Sequence, residues 1–199
     1  MVLEIIVGTM FSGKTTELVR RAQEHARSGR NVQCFKPKTD TRYEGLTSHN
    51  GARIEVECVA TAEDIEQRIK PETQVVVIDE AHFYDSELIE YCTRWSQMRT
   101  VIVAGILHDW KDEPMIFHDG KATIQDLAAK ADRVDVKEAR CTYMNNGKEC
   151  SMAATKLQRF LENGTLAPES IPLFQVGGSK TYAARCGIHY VKPAKQIHL

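Results

Sequence analysis

The segment from Gly8 to Thr15 carries the clearest chemical signature in this chain. It reads Gly-Thr-Met-Phe-Ser-Gly-Lys-Thr and matches G-x-x-x-x-G-K-[ST], a pattern that cradles nucleotide phosphates. Gly8 and Gly13 allow backbone N–H groups to turn toward phosphate oxygens. In such a loop Lys14 reaches the β- and γ-phosphates, and the hydroxyl of Thr15 binds Mg²⁺. The predicted site for ATP and Mg²⁺ comprises Gly8, Thr9, Met10, Phe11, Ser12, Gly13, Lys14, Thr15 and Thr16.

Two carboxylates follow a strongly apolar run further along the chain. Val75–Ile78 is typical of a buried strand, and Asp79 and Glu80 come directly after it. In P-loop enzymes an acid at such a strand end holds the water shell of Mg²⁺, and we assign this role to Asp79. Glu80 is suited to accept the proton of an alcohol during phosphoryl transfer. On spacing alone it is equally suited to capping the next helix or to activating water in an ATPase.

Four side chains in the last third of the chain have the chemistry of a zinc site. Cys186 and His189 form a C-x-x-H pair, and Cys141 and Cys150 lie upstream with eight residues between them. Three thiolates and one imidazole are enough for a closed tetrahedral site. The pattern slightly favours zinc over the alternative, in which these cysteines are isolated small hydrophobic residues.

A polar loop after the second predicted strand contains Asp40 and Arg42. An arginine beside the phosphates would neutralise the charge that is transferred. The loop sequence by itself favours the ordinary alternative, in which Arg42 is a solvated surface charge.

Composition and charge narrow the class of protein. Of 199 residues 42% are hydrophobic and 27% are charged, and 26 Lys and Arg nearly balance 27 Asp and Glu, so nucleic acid is not an expected partner. There is no apolar run of about 18 residues and no signal-peptide pattern, so we expect no membrane association and a cytoplasmic location. In that compartment six cysteines favour a metal site over disulfides.

The phosphate loop needs a strand before it and a helix after it, and both patterns are present. An apolar strand pattern at Leu3–Val7 precedes the loop, and a helix pattern from Lys14 to Ser28 follows it. Further strands are predicted at 32–35, 53–59, 75–78 and 100–104, with a helix at 86–96. Alternating strands and helices predict parallel crossovers. We expect an α/β fold with a mostly parallel, RecA-like P-loop sheet flanked by helices.

From Cys141 onward Asn, Gly and Pro recur and regular patterns are short. Such a segment buries little core and gains from a metal ion that holds it together.

These motifs, taken in order, resemble the type II thymidine kinase family, which pairs a P-loop domain with a zinc-binding lasso subdomain. The phosphate loop with Thr16-Glu17-Leu18 resembles the family's G-x-M-F-S-G-K-T-x-E-L. Ile78-Asp79-Glu80-Ala81-His82-Phe83-Tyr84 resembles I-D-E-x-Q-F-F, and 101–114 resembles V-I-V-A-G-L-D-x-D-F-R-x-E-P. The second loop at 36–51 and the segment 176–189, similar to I-G-G-x-x-x-Y-x-x-x-C-R-x-H/C, extend the match.

The resemblance implies a kinase that transfers the γ-phosphate of ATP to the 5′-hydroxyl of thymidine, and of deoxyuridine, for nucleotide salvage and DNA precursor synthesis. It assigns Glu80 as the base and places Asp40 and Arg42 near the phosphates and the metal. The implied thymidine-binding residues are Met10, Phe83, Ile106, Trp110, Thr155, Gln175, Val176, Gly177, Gly178 and Tyr182. The implied zinc ligands are Cys141, Cys150, Cys186 and His189. Feedback inhibition by dTTP and a homotetramer are further expectations from the family.

The same resemblance divides the chain into a P-loop domain at 1–138, a zinc-ribbon-like lasso subdomain at 139–192 and a tail at 193–199. Three positions depart from the family pattern: His82 stands for Gln, Leu107 for Asp, and Met144 for the second Cys of a C-x-x-C. Because a thioether is a poor zinc ligand beside thiolates, we expect Cys150 to complete the site. The alternative function is a P-loop ATPase or an ATP-gated binding module.

Overall fold

The computed structural model of this chain describes residues 1–40, 46–47, 53–175 and 177–193, and for 46–47 and 53–54 the backbone alone. The elements in chain order are β1 (Leu3–Gly8), α1 (Lys14–Arg27), β2 (Val32–Pro37), β3 (Leu46–Thr47), β4 (Arg53–Ile54), β5 (Val56–Val59), α2 (Ala62–Arg68), β6 (Val75–Ile78), a 3-10 helix (Ala81–Phe83), α3 (Leu88–Ser96), β7 (Thr100–Ile106), α4 (Ile124–Ala128), β8 (Arg133–Lys137), β9 (Ala139–Arg140), β10 (Met144–Asn145), β11 (Lys148–Glu149), β12 (Ala153–Ala154), β13 (Lys156–Arg159) and β14 (Tyr182–Arg185).

Six strands form one parallel sheet in the order β5-β2-β6-β7-β1-β8. The central strands β6 and β7 are buried along their whole length, which is why both read as continuous apolar runs in the sequence. The predicted α/β fold with a parallel P-loop sheet is confirmed.

Helices cover both faces of this sheet because successive strand residues point to opposite sides. On one face Leu18 and Ala22 of α1 pack with Ile6, while on the other face Trp95 of α3 and Leu127 of α4 belong to the larger core. The carboxyl ends of all six strands meet at one edge, where ligands bind in open α/β sheets. The phosphate loop after β1 and the acidic pair after β6 therefore lie at the same edge.

A buried ion cluster fixes α1 on the sheet. The guanidinium of Arg21 donates to Glu4 of β1 at 2.6 Å, to Glu17 at 2.9 Å and to Asp135 of β8. Three carboxylates from three elements thus surround one cation, and the orientation of the helix that begins at the phosphate loop is constrained along its first two turns.

Two helices, α2 and α4, are not among the predicted elements, although both carry a recognisable signal. Helix α2 begins with a capping box formed by Thr61 and Asp64, and α4 begins with one formed by Thr123 and Asp126. Strand β8 was also missed. The strand predicted over 53–59 is divided into β4 and β5.

After β8 the described residues form three two-stranded antiparallel ribbons, β9 with β12, β10 with β11 and β13 with β14. This arrangement agrees with the short patterns expected beyond Cys141. None of the helices in the described part of the chain combines the length and the apolar character that a membrane span requires.

Candidate active site

The backbone of the phosphate loop has the unusual conformations that a phosphate cradle requires. Gly8 has a φ of 155°, and a Cβ added there would lie 2.2 Å from the carbonyl oxygen of Lys137 on β8. Phe11 and Gly13 have φ angles of 67° and 81°. Alternation of left- and right-handed residues turns successive N–H groups inward and forms an anion-binding nest. Glycine is therefore required at position 8 by close contact as well as by conformation.

Lys14 and Ser12 are both directed back onto the loop. Lys14 Nζ donates a hydrogen bond to the carbonyl oxygen of Thr9 at 2.8 Å, and Ser12 Oγ donates to the same oxygen at 2.8 Å. Lys14 is buried and opens α1, so its charge and the positive end of the helix dipole act at the same point.

Thr15 and Asp79 meet at the edge of the sheet as the sequence predicts. Thr15 Oγ1 donates to Asp79 Oδ2 at 2.9 Å, and the other oxygen, Oδ1, accepts from the backbone N–H of Glu80 at 2.9 Å. Burial raises the pKa of Asp79, and the neighbouring Glu80 raises it further. A hydroxyl and a carboxylate oxygen are the hard ligands that Mg²⁺ prefers, and its charge would stabilise the ionised form of Asp79.

Glu80 adopts a left-handed backbone conformation, with φ of 49° and ψ of 48°, immediately after β6. This conformation is disfavoured for residues other than glycine and clusters at functional sites. The Glu80 side chain makes no hydrogen bond that caps the following 3-10 helix, which argues against the capping role. Its Oε2 lies 3.7 Å from Nδ1 of the buried His82.

Two adjoining clefts open at this edge. The first, which we call the apolar pocket, has a volume of about 470 Å³, part of it open to solvent. It is lined by Met10, Glu80, His82, Phe83, Ile106, Asp109, Trp110, Met115, Leu157, Leu173, Phe174, Gln175, Gly177 and Tyr182. The second, the phosphate cleft, has about 770 Å³ and is lined by Met10, Phe11, Gly13, Lys14, Thr15, Thr16, Glu80, Gly177 and Gly178. The residues common to both clefts are Met10, Glu80 and Gly177.

The segment before β14 closes one side of the apolar pocket. Phe174 packs near Phe83, with ring centroids 6.1 Å apart, and the hydroxyl of Tyr182 donates to the carbonyl oxygen of Gln175 at 3.2 Å. A Cβ added at Gly177 would lie 2.9 Å from the Tyr182 ring, so glycine lets the backbone pass directly against this side chain. Backbone groups of the segment are thereby held beside the pocket.

The structure brings together most of the predicted thymidine-binding residues. Those that line the apolar pocket are Met10, Phe83, Ile106, Trp110, Gln175, Gly177 and Tyr182. Gly178 lines the phosphate cleft instead. Thr155 is exposed and lies outside both linings, whereas Leu157, two residues later, belongs to the pocket wall. Asp40 is buried just beyond β2, and Arg42 and Val176 lie outside the described residues.

Several pocket residues were not predicted as site residues from the sequence. They are His82, Asp109, Met115, Leu157, Leu173 and Phe174. The available signal was an apolar pair, Leu173-Phe174, separated by two residues from the Gly177-Gly178 motif in a segment otherwise rich in turn residues. Apolar side chains in such a segment must pack somewhere, and here they pack over the site.

The four predicted zinc ligands converge. Their ligand atoms all lie within 4.8 Å of one another. Nδ1 of His189 lies 3.6 Å from the sulfur of Cys141 and 3.4 Å from that of Cys186, and the sulfurs of Cys150 and Cys186 are 4.0 Å apart. A tetrahedral ion with Zn–S of about 2.3 Å and Zn–N of about 2.0 Å requires about 3.5 Å between S and N and about 3.8 Å between sulfurs. The cluster therefore fits zinc, with Nδ1 as the imidazole ligand.

The unusual separation of Cys141 and Cys150 has a simple structural reason. The hairpin of β10 and β11 fills the interval, and the N–H of Cys150 donates to the carbonyl of Tyr143 at 2.9 Å. Met144 lies on this hairpin, and 57% of its surface is exposed. This exposure favours Cys150 over Met144 as the fourth ligand. The Tyr143 ring stacks on His189 with centroids 4.1 Å apart, which restrains the imidazole.

Comparison with known proteins agrees with this geometry. The family model described as thymidine kinase matches residues 1–190. A protein from Pyrobaculum aerophilum named thymidine kinase is 36% identical over 196 residues, which cover 96% of this chain and 99% of that protein. Among solved structures, the X-ray structure of the Legionella pneumophila ATPase DotB is similar, with a TM-score of 0.41 and 13% identity over 64% of this chain and 36% of that chain. The near full-length family match and the 36% identity show that the chain belongs to the thymidine kinase family.

Proposed function

We propose that this protein transfers the γ-phosphoryl group of ATP to the 5′-hydroxyl of thymidine, and also of deoxyuridine, with Glu80 as the general base. The observation that carries the proposal is the position of Glu80 in the wall of both clefts. A nucleoside whose base occupies the apolar pocket presents its 5′ end toward the phosphate cleft across this carboxylate. Family membership supports ATP as donor and thymidine as acceptor.

The phosphate cleft supplies binding and charge for the donor. The nest at 8–13 and the start of α1 direct N–H groups at the phosphates, and Lys14 exchanges its bond with the Thr9 carbonyl for phosphate oxygens. Thr15 and Asp79 would hold Mg²⁺, and Asp40, which is buried just after β2, is a further acid at the carboxyl edge of the sheet. When bound, Mg²⁺ neutralises charge on the β- and γ-phosphates.

Glu80 acts on the acceptor. Its carboxylate accepts the proton of the 5′-hydroxyl as that oxygen approaches the γ-phosphorus, and a positioned base of this kind contributes typically about 10²–10⁴-fold. The strained backbone at Glu80 holds the carboxylate between the clefts rather than along the 3-10 helix that follows.

Zinc at Cys141, Cys150, Cys186 and His189 is proposed to be structural. Since all four ligands come from protein side chains, the site leaves no open coordination position for catalysis. It would join the ribbons around 139–154 to the end of β14, the strand that begins with Tyr182 in the wall of the apolar pocket.

Three further proposals follow from family membership and the paired clefts. We propose dTTP as an inhibitor, because its thymine suits the apolar pocket and its triphosphate suits the adjoining phosphate cleft. We also propose a homotetramer and a cytoplasmic location. We expect dTTP to inhibit the enzyme in competition with ATP. We expect light scattering to give four times the mass of one chain.

ADP release with and without a nucleoside separates the kinase from the ATPase alternative. With saturating ATP and Mg²⁺, thymidine is expected to raise the rate of ADP release by about 10²-fold or more, because Glu80 requires the 5′-hydroxyl of a bound nucleoside to act productively. A coupled spectrophotometric assay measures this rate, with an adenosine addition as control. An equal rate without any nucleoside would refute the kinase function.

A further inference from the structure

Arg159 is a buried cation behind the walls of the apolar pocket. It lies on β13, paired with Tyr182 of β14, and only 4% of its surface is exposed. Within the described ranges 1–40, 53–175 and 177–193, no ion pair joins it to a carboxylate. Burial accordingly lowers its pKa. A buried charge with no carboxylate partner among the described residues is costly, so its retention points to a specific task.

The contacts of Arg159 converge on the pocket-closing segment and on two aromatic walls. One guanidinium nitrogen, Nη1, donates to the carbonyl oxygen of Pro172 at 2.5 Å, and Nη2 donates to Oε1 of Gln175. The guanidinium carbon lies 5.2 Å from the ring centroid of Trp110 and 5.7 Å from that of Tyr182. Arg159 itself is absent from the pocket lining, whereas Gln175, Trp110 and Tyr182 belong to it.

These bonds contribute more to geometry than to folding stability. Pro172 and Gln175 are exposed, so water replaces the guanidinium as donor if the arginine is removed. A methionine of similar length would keep the apolar contact with Trp110 and Tyr182. The methionine variant would lack the planar guanidinium, which binds two acceptors, on Pro172 and Gln175. These acceptors lie three residues apart in a segment with no regular secondary structure.

We propose that Arg159 is a positioning residue for the acceptor nucleoside: it holds the 172–175 segment and the Trp110 and Tyr182 rings in the arrangement that receives the pyrimidine. The inference rests on the proposed function for the identity of that nucleoside. It assigns the arginine no contact with substrate and no part in proton or phosphoryl transfer. Its effect is therefore expected in KM for the nucleoside and not in KM for ATP.

The first test compares Arg159→Met with Arg140→Met, which removes an exposed arginine from β9 in the same part of the chain. Arg159→Met is expected to raise KM for thymidine by about 10–100-fold, the scale of a misplaced binding group, while KM for ATP stays within about twofold. Its zinc content and melting temperature should equal those of Arg140→Met. Arg159→Lys should behave like Arg159→Met, because one ammonium does not span both acceptors.

A second measurement is independent of any activity. Amide hydrogen exchange of the ligand-free full-length protein should be faster at 173–178 in Arg159→Met than in Arg140→Met, with the six-stranded sheet unaffected. The side-chain bond to Gln175 should also couple the two residues, so that Gln175→Ala adds little to the thymidine KM of Arg159→Met.

Each outcome decides one question. The positioning role would be overturned if amide exchange at 173–178 or the KM for thymidine were the same in Arg159→Met as in Arg140→Met. It would also be overturned if the KM values for thymidine and ATP rose equally and zinc were lost. If wild-type protein fails to phosphorylate thymidine, the proposed function falls, and the exchange comparison still decides whether Arg159 orders the segment.

Discussion

Replacing Glu80 with glutamine is expected to lower kcat for thymidine phosphorylation by about 10²–10⁴-fold, the usual contribution of a positioned general base. Glutamine has nearly the same shape and still fits the left-handed turn after β6, but its amide does not accept a proton at neutral pH. The ATP contacts of the phosphate loop remain, so ATP affinity should stay within about twofold.

Single-turnover kinetics together with equilibrium binding of a fluorescent ATP analogue separate these two effects. Glu90→Gln, an exposed carboxylate on α3, is the matched control and should be indistinguishable from wild type. Near-normal turnover by Glu80→Gln would remove Glu80 from the role of base. A fall in ATP affinity as large as the fall in kcat would show that Glu80 acts mainly through the phosphate cleft.

Replacing Cys186 with serine is expected to abolish zinc binding and to lower kcat/KM for thymidine by about 10²-fold or more. Zinc at such a site contributes about 10–16 kcal/mol of apparent binding free energy that is coupled to folding. Cys186 directly follows β14 and is 2% exposed, so loss of the metal should release the strand that carries Tyr182 and the segment that closes the apolar pocket. ATP binding should persist, because the buried six-stranded sheet has its own core.

Elemental analysis should give one zinc per chain for wild type and for Cys58→Ser, which changes an exposed cysteine on β5. Wild-type protein that contains no zinc when purified without chelator would refute the metal assignment and leave the kinase assignment untouched. A Cys186→Ser variant that loses zinc yet keeps full thymidine turnover would show that the pocket does not depend on the metal.

The phosphate loop was predictable because its chemistry is contiguous in sequence. Lys14 and Thr15 follow a strand and open a helix, so a local pattern determines their placement. Asp79 is distant in sequence, yet the rule that parallel strands end at one sheet edge was sufficient to place it beside Thr15, as the 2.9 Å hydrogen bond confirms.

The residues that line the apolar pocket were harder to predict from the sequence. Their positions depend on how the strands of the short ribbons pair and on the geometry of the metal cluster. Thr155 and Leu157 differ by two residues, and only Leu157 reaches the pocket lining. Thr155 lies just before the four-residue strand β13 that contains Leu157, and no periodic pattern in the sequence distinguishes the two positions. The burial of Arg159 was equally hard to predict. The residues next to it in the sequence do not reveal that its side chain lies against Trp110, about fifty residues earlier. The short helices α2 and α4 had weak apolar periodicity, although their capping boxes were readable.

Product analysis with two thymidine analogues tests the central claim most directly, namely that the site transfers phosphate from ATP to a nucleoside 5′-hydroxyl. Wild-type protein with ATP labelled in the γ-position, Mg²⁺ and 3′-deoxythymidine should give a labelled 5′-monophosphate, as thymidine does. With 5′-deoxythymidine, which keeps the base but lacks the acceptor hydroxyl, no labelled nucleotide should form. Labelled inorganic phosphate as the main product with every nucleoside, or a labelled product from 5′-deoxythymidine, would contradict the claim.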